Sequence, residues 1–166
     1  MAQFTFFWSG PFSQWHPSPF VIGGVCYNTA EQWMMAEKAR LFRDDETLAA
    51  ILAAVHPREQ KALGRKVRGF NREAWEAPFP WRDGQKPRCW QIVWRGNEAK
   101  YLQNDDLRAK LLATANTTLV EASPHDTTWG IGLSEQDAAR LDRATWRGRN
   151  WLGEVLTDLR EVFLLG

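Results

Sequence analysis

The stretch NTAEQWMMAEKARLF, residues 28–42, decides the fold because it carries a strong signal for the start of a helix. Thr29 is followed three residues later by Gln32, which matches a capping box, an arrangement that satisfies unpaired N–H groups at a helix N-terminus. The pattern predicts a helix that begins here and runs to about Phe42. Glu31 falls in the first turn, where the helix dipole favours an ionised carboxylate.

One face of this predicted helix carries both charge and apolar surface. Glu31, Met34, Met35 and Lys38 share that face, so a carboxylate and an ammonium lie two turns apart with apolar side chains between them. This is a plausible floor for a polar ligand. A solvated first-turn glutamate with a surface lysine fits the same pattern, so the spacing alone does not establish a site.

Outward from residues 28–42, the sequence predicts a mainly α-helical protein with a few short strands, folded as a single domain over residues 1–166. Residues 71–88 hold three prolines and Gly84, which are expected to break regular structure apart from a helical turn near 74–79. The other predicted segments are a strand at 3–8, an irregular loop at 9–24, a short extended piece at 25–27, helices from Asp44 or Asp45, at 57–70, at 90–101 and from Asp105 or Asp106, a strand at 118–122, a loop at 123–132, a short helix from Ser134 and a helix from Asn150 to Leu164.

Composition excludes several classes of protein. The net charge of +1 gives no support for a surface that coats a polyanion, so any anion must be held locally. Cys26 and Cys89 lack metal-ligand or disulfide-framework spacing, and the three histidines are not at ligand spacing, so we expect no metal. No apolar run approaches the roughly 20 residues of a membrane span. The protein is expected to be cytoplasmic.

A second group of candidate residues lies near the loop DTTWGIG, residues 126–132. Asp126, Trp129 and Gly130 combine a carboxylate, a stacking ring and a glycine that permits close backbone approach, although an Asx turn with a buried tryptophan fits equally well. Glu121 adds a carboxylate at a strand end, or is a surface acid. Arg65, in the basic cluster 64–68, offers a bidentate phosphate contact or belongs to a solvated helix face.

Together these segments resemble the NADAR (YbiA-like) family over nearly the whole chain. The matching pieces are 7–9 with 12–13, 29–33 leading to 38–39, 63–65 with 75–76, 100–101, 111–114, 119–121, Asp126 with 129–132, and 148–153. The chain departs from the family in Tyr101, where phenylalanine is usual, and in a Pro- and Trp-rich insert around residues 76–90.

The resemblance implies a mainly α-helical N-glycosidase that uses no metal or other cofactor. Family substrates are phosphoribosylamino-pyrimidine intermediates of riboflavin synthesis and ADP-ribose attached to guanine, so the implied partner is a small nucleotide-like molecule or ADP-ribosylated guanosine or nucleic acid. The family's catalytic glutamate falls on Glu31. The other positions taken from the resemblance are Asp126, as a second catalytic residue that binds ribose hydroxyls or shares the water, and Trp33, Lys38, Arg65, Lys100, Glu121, Trp129, Gly130 and Asn150, as substrate-binding residues.

Within that set, Trp33 or Trp129 would stack on the base, and Lys38 with Arg65 would hold phosphate. Two other functions stay open at this point. One is a module that binds ADP-ribose or a nucleotide without cleaving it. The other is an interaction domain whose tryptophans bind a protein partner.

Overall fold

The computed structural model describes residues 3–166 and confirms a mainly α-helical fold with a few short strands. Two short 3-10 helices, Ala138–Leu141 and Arg143–Thr145, occur where a helix from Ser134 was expected. The remaining elements in chain order are β1 (Phe4–Phe7), β2 (Phe20–Ile22), β3 (Val25–Tyr27), α1 (Ala30–Leu41), α2 (Asp45–Ala53), α3 (Pro57–Gly64), α4 (Arg72–Trp75), β4 (Pro78–Trp81), β5 (Gly84–Pro87), α5 (Arg88–Leu102), α6 (Asp105–Leu112), β6 (Thr118–Glu121) and α7 (Trp151–Leu165).

These elements form two compact units. The middle unit comprises residues 17–104, and the terminal unit comprises the chain up to His16 together with residues 105–166. Each unit has its own buried residues and its own share of the predicted site. One domain over residues 1–166 therefore stays a prediction.

Helix α1 is buried on nearly every side in the middle unit. Ala30, Ala36 and Ala39 have no exposed surface, and these small side chains let α2, α3 and α5 pack closely against α1. The packing is tightest at two glycines. A Cβ on Gly64 would overlap the Met35 side chain, and one on Gly96 would overlap the Trp33 indole. This enclosure explains why polar residues of α1 are buried.

The helix starts follow the caps expected from the sequence. The Thr29 hydroxyl accepts the Gln32 N–H at 3.0 Å, and the Asp44 carboxylate accepts the Thr47 N–H at 3.1 Å. In a standard capping box the Gln32 side chain would accept the N–H of the N-cap residue, Thr29. Here Gln32 Oε1 instead accepts the N–H of the preceding residue, Asn28, at 2.8 Å. Helix α1 therefore begins where the sequence predicts, with an additional link to the preceding residue.

The third helix is shorter than predicted, and the prediction of 57–70 was wrong at its end. It stops at Gly64, and Arg65 is its C-cap. The chain then turns because the carboxylate of Asp44 captures the Arg68 N–H at 2.9 Å, and because Gly69 adopts a φ of 77°. The basic cluster 64–68 therefore straddles a helix end instead of lining one helical face.

Two hairpins occur in segments where irregular structure was expected, except that β3 confirms the short extended piece predicted at 25–27. Strands β2 and β3 pair in antiparallel fashion around Gly23 and Gly24, whose φ values of 59° and 80° suit a two-residue hairpin turn. Strands β4 and β5 pair around Arg82 and Asp83, with Arg82 at a φ of 48°. Prolines are tolerated there because a two-stranded sheet leaves the outward N–H positions without a ladder partner.

The terminal unit is built on the parallel pair β1 and β6, in which Phe4 is opposite Thr118 and Phe7 is opposite Glu121. Helix α7 packs against β6. Val120, Ile131 and Leu133 form a buried cluster under the 3-10 helices. Among residues 3–166, no helix is both long and apolar enough to cross a bilayer.

Candidate functional site

The ten residues predicted to form the site divide evenly between the two units. The middle unit holds Glu31, Trp33, Lys38, Arg65 and Lys100, and the terminal unit holds Glu121, Asp126, Trp129, Gly130 and Asn150. No group of three or more potential metal ligands occurs within residues 3–166.

The middle unit brings Glu31, Lys38 and Arg65 together as a charge cluster. Glu31 lies in the first turn of α1 with 4% of its surface exposed. Burial lowers the pKa of the half-buried Lys38, the Glu31 carboxylate opposes that shift, and the Arg65 guanidinium adds to it. Lys38 Nζ also lies 4.3 Å from the centroid of the Phe70 ring. Lys38 is therefore an electrostatic neighbour of both the Glu31 carboxyl group and the Arg65 guanidinium.

Contact between α1 and α3 sets the position of Arg65. Because Gly64 has no side chain, Met35 packs directly on the last residue of α3. Arg65 follows at once as the C-cap, so its charge falls beside the Lys38 side of α1. Phe70, which no sequence pattern singled out, completes this side by covering the Lys38 ammonium.

A buried polar network holds the backbone on both sides of Glu31. The Thr29 hydroxyl accepts the Gln32 N–H and donates to Gln60 Oε1 at 2.6 Å. Gln60 has no exposed surface, and its Nε2 donates to Asn28 Oδ1 at 2.8 Å and to the Ala54 carbonyl at 2.9 Å. Since each polar group is paired inside the protein, this network fixes the turn that carries Glu31.

Gln32 extends the network to the end of α2. Its Nε2 donates to the carbonyls of Ile51 at 3.0 Å and Ala54 at 3.2 Å. The carboxamide therefore satisfies carbonyl groups that a helix C-terminus leaves unpaired. Gln60 lies 31 residues after Thr29 along the chain, and no sequence pattern indicates this partner.

Trp33 and Lys100 are core residues of the middle unit. The Trp33 indole is 3% exposed, donates to the Ile92 carbonyl at 2.8 Å and packs edge-on against Tyr27. Lys100 has no exposed surface, and burial lowers its pKa to about 7. Its Nζ lies 5.0 Å from the Tyr101 ring centroid. Neither side chain offers an exposed face to a ligand in this structure.

In the terminal unit, Asp126 lies in the loop that follows β6. One carboxylate oxygen, Oδ1, accepts the N–H groups of Thr128 at 2.9 Å and Trp129 at 2.8 Å, which is the Asx-type turn that the sequence offered as an alternative to a ligand-binding loop. The Trp129 ring is half-buried and packs edge-on against Trp151, with centroids 5.7 Å apart. The turn thus fixes the backbone that carries the ring.

Backbone hydrogen bonds join this loop to residues 147–152. The N–H groups of Arg149, Trp151 and Leu152 donate to the carbonyls of residues 127, 128 and 129 at 2.9, 3.2 and 3.2 Å. Glycine is required at two of the contacts, because a Cβ on Gly148 would overlap the Gly130 carbonyl, and one on Gly130 would lie 2.9 Å from the Ser123 Cβ. Two segments distant in sequence therefore form one rigid support.

The buried Asn150 has a structural position that the sequence did not suggest. Asn150 is the N-cap of α7, which agrees with the predicted helix start, but its side chain makes no cap hydrogen bond and its backbone is left-handed at a φ of 53°. Instead, Oδ1 accepts the Glu121 N–H and Nδ2 donates to the Leu119 carbonyl, both at 3.0 Å. The carboxamide fastens α7 to strand β6 and so holds Glu121 at the strand end.

Comparison with known proteins adds independent findings. A family model described as the NADAR domain matches residues 6–164. The chain is 43% identical over 155 residues to N-glycosidase R617 of Acanthamoeba polyphaga mimivirus, covering 90% of this chain and 85% of that protein. It is 30% identical over 152 residues to N-glycosidase YbiA of Escherichia coli strain K12, covering 92% of this chain and 80% of that protein.

A solved structure agrees with these matches. The NMR structure of the Escherichia coli protein YbiA has a TM-score of 0.76 to this chain at 28% sequence identity. The likeness covers 99% of this chain and 88% of that one.

Proposed function

The chain belongs to the NADAR domain family, and from that premise we propose that it is an N-glycosidase, a hydrolase that cleaves the C1′–N bond of a nucleotide-like substrate. The observation that carries the proposal is the buried Glu31, held in a helix first turn as an electrostatic neighbour of Lys38, which in turn neighbours Arg65. Two relatives with matching chains are named N-glycosidases, which supports the same class of reaction.

The proposed reaction uses the carboxylate of Glu31 at the ribose carbon. As the C1′–N bond breaks, positive charge develops on the sugar, and a nearby carboxylate stabilises that charge and orients the attacking water. Water adds its oxygen to C1′, and the departing nitrogen takes a proton. A carboxylate fixed by its neighbours needs little reorganisation during this step, so the network around Thr29 and Gln60 supports the assignment.

The neighbouring charges give roles to the other proposed residues. Lys38 and Arg65 carry the two cations of the cluster and are proposed to hold substrate phosphate. Asp126 is proposed to bind ribose hydroxyls or share the water, since its second carboxylate oxygen takes no part in the turn that Oδ1 stabilises. Trp129 is proposed to stack on the base, in preference to the buried Trp33.

Two substrate classes fit this proposal: a phosphoribosylamino-pyrimidine intermediate of riboflavin synthesis, and ADP-ribose attached to guanine. Each contains the C1′–N bond and a phosphate group for the two cations. Both are small nucleotide-like molecules, and the second also occurs on nucleic acid. The cytoplasmic location expected from the sequence belongs to the same proposal.

The test incubates purified protein separately with each substrate class and separates the products by liquid chromatography. Release of ribose 5-phosphate with the free pyrimidine, or of ADP-ribose with unmodified guanosine or nucleic acid, identifies the substrate. Glu31→Gln is expected to slow release by about 10²- to 10⁴-fold, whereas the matched change Glu37→Gln on the same helix should leave it intact. Binding without release in the wild type would instead support a non-catalytic nucleotide-binding module.

A further inference from the structure

The Pro- and Trp-rich insert has no part in the Glu31 cluster, yet it forms an ordered basic surface. We define this hairpin surface as strands β4 and β5 with the first two turns of α5, residues 78–95. It carries four cations, Arg82, Lys86, Arg88 and Arg95, and one acid, Asp83. In a protein whose net charge is +1, such a local excess is distinctive.

Aromatic rings support three of these cations. The Arg88 guanidinium lies 4.2 Å from the Phe79 ring centroid, Lys86 Nζ lies 4.7 Å from that of Trp90, and the Arg82 guanidinium lies 5.2 Å from that of Trp81. A cation over a ring keeps its charge while losing conformational freedom. The hairpin surface therefore holds its positive charges in fixed positions.

Hydrogen bonds keep the hairpin fixed to α5. The Gln91 Nε2 donates to the carbonyls of Phe79 at 3.0 Å, Pro80 at 3.3 Å and Lys86 at 3.3 Å. The Trp81 ring packs edge-on against Trp94 with centroids 5.0 Å apart. A ligand that binds here meets a surface that is already ordered, which reduces the entropic cost of association.

A small depression lies on this surface between two arginines. Its volume is about 280 Å³, and it is lined by Phe79, Arg88, Gln91, Ile92 and Arg95. Arg88 Nε is shielded from solvent and has no hydrogen-bond acceptor within residues 3–166. Phe79 is 38% exposed. An apolar wall, an aromatic ring and two guanidinium groups suit one nucleotide, with its base against the ring and its phosphate against the arginines.

The hairpin surface lies away from the Glu31 cluster. Arg95 is an electrostatic neighbour of the half-buried Glu37. Burial raises the pKa of Glu37, and the positive charges of Arg40 and Arg95 oppose only part of that rise. Glu37 and Glu31 are six residues apart on α1, which places them on different faces of that helix. A helix is about 10 Å across, a distance that a few nucleotides of a single strand can span. The two sites are therefore separate but within reach of one strand.

We propose that the hairpin surface binds single-stranded nucleic acid flanking an ADP-ribosylated guanine, with one nucleotide in the depression between Arg88 and Arg95. The biological role of this surface rests on the proposed N-glycosidase function. Binding of a single strand to the surface can be tested independently of that function. The ligand class follows from the chemistry of the surface, because phosphates pair with fixed cations and bases stack on exposed aromatic rings.

The first experiment measures fluorescence anisotropy of an unmodified 12-nucleotide single-stranded DNA at several salt concentrations. The double variant Arg88→Gln/Arg95→Gln is expected to weaken binding by roughly tenfold or more at low salt, and to reduce the salt slope by about 0.7 for each phosphate that it no longer neutralises. The matched control is Arg140→Gln/Arg143→Gln, which removes two arginines that also lie over aromatic rings, in the terminal unit. It should bind as the wild type does.

Phe79→Ala removes the ring available to a base and also the ring that supports Arg88, so it should weaken binding but reduce the salt slope less than the Arg88/Arg95 variant does, because both charges remain. The proposal is overturned if the Arg88/Arg95 variant binds the oligonucleotide as well as the wild type, or if the control variant weakens equally. It is also overturned if a poly-glutamate peptide of equal charge competes as well as the oligonucleotide, because the surface would then bind an acidic protein.

A second experiment connects the surface to catalysis. The Arg88/Arg95 variant should retain the wild-type kcat/KM on ADP-ribosylated guanosine as a free nucleoside, and lose about tenfold on a modified oligonucleotide. Equal loss on both substrates would contradict a strand-binding role. Absence of cleavage by the wild type would overturn the proposed function, while the anisotropy result would still decide whether this surface binds a strand.

Discussion

The two regions that carry the candidate catalytic carboxylates are built by different means. Around Glu31, buried side chains at the start of α1 and on α3 bond to one another and to backbone carbonyls at the end of α2, as Gln60 does with Thr29 and with the Ala54 carbonyl. Around Asp126, the chain is held by backbone hydrogen bonds between two loops and by glycines that permit close contact. The first region can be altered one side chain at a time. The second depends on main-chain geometry, so its sensitive positions are the glycines.

The largest expected effect tests whether the two carboxylates are equivalent. Glu31→Gln should lower kcat by about 10²- to 10⁴-fold, because it removes the charge that faces the developing cation. Asp126→Asn should cost about tenfold, since asparagine keeps the oxygen that accepts the Thr128 and Trp129 N–H groups. Steady-state product release measures both.

A matched control for the second change is Asp137→Asn, because Asp137 Oδ1 likewise accepts a nearby N–H, that of Ala139, at 2.9 Å. It should leave kcat unchanged. If Asp126→Asn were as damaging as Glu31→Gln, the comparison would fail and Asp126 would share the central catalytic role.

The next effect tests the side-chain network. Gln60→Leu removes the partner of the Thr29 O–H and of Asn28 Oδ1, and each group left unpaired costs about 1–3 kcal/mol of stability. Because the same turn carries Glu31, we expect kcat to fall further than KM rises at temperatures well below unfolding. Gln136→Leu, at an exposed glutamine of the terminal unit, is the control and should change neither. A fall in melting temperature with normal kcat would show that the network does not position Glu31.

Sequence reasoning succeeded where the physics is local. The side chains of Thr29 and Asp44 each accept the N–H of the residue three positions later. The starts of α1 and α2 could therefore be predicted from the neighbouring residues. The Lys38 position on the Glu31 face followed from helical periodicity. These contacts do not depend on where the rest of the chain goes.

Other features could not be predicted, because the residues that produce them are distant in sequence. Gln60 meets Thr29 only after α2 and α3 have packed on α1, and Asn150 binds β6 only in the folded terminal unit. The hairpin at Gly23–Gly24 did carry a usable signal, because two adjacent glycines favour such a turn. The hairpin of β4 and β5 did not, since its three prolines argue against a strand unless the pair is known to be isolated.

A smaller effect compares the stability cost of replacing one glycine in each region. Gly148 lies in the region around Asp126, and Gly64 lies in the region around Glu31. Gly148→Ala places a methyl group against the Gly130 carbonyl and the Thr127 backbone, which should cost about 1–3 kcal/mol. Gly64→Ala meets the flexible end of Met35, which can move, and alanine favours a helix by about 1 kcal/mol over glycine. Urea unfolding should therefore show a clear loss for the first variant and little for the second. Equal losses would mean that both regions are packed alike.

The smallest expected effect is that of low pH on local stability. Acid should open residues 65–70, near Glu31, before it opens residues 127–131, near Asp126. Asp44 accepts the backbone and side-chain N–H groups of Arg68, both at 2.9 Å, and these bonds hold the pKa of Asp44 well below its usual range. A depressed folded pKa means that the stabilisation is complete above the unfolded pKa of about 3.9 and is lost as pH falls below it. Hydrogen exchange at pH 3 should therefore show opening of residues 65–70, which carry Arg65 and Phe70, before residues 127–131. Asp44→Asn should produce the same opening at pH 6 and remove its pH dependence, whereas Asp137→Asn should do neither. Simultaneous opening of both segments at pH 3 in the wild type would show that acid acts on the fold as a whole, and that the side-chain network gives the Glu31 region no separate sensitivity to pH.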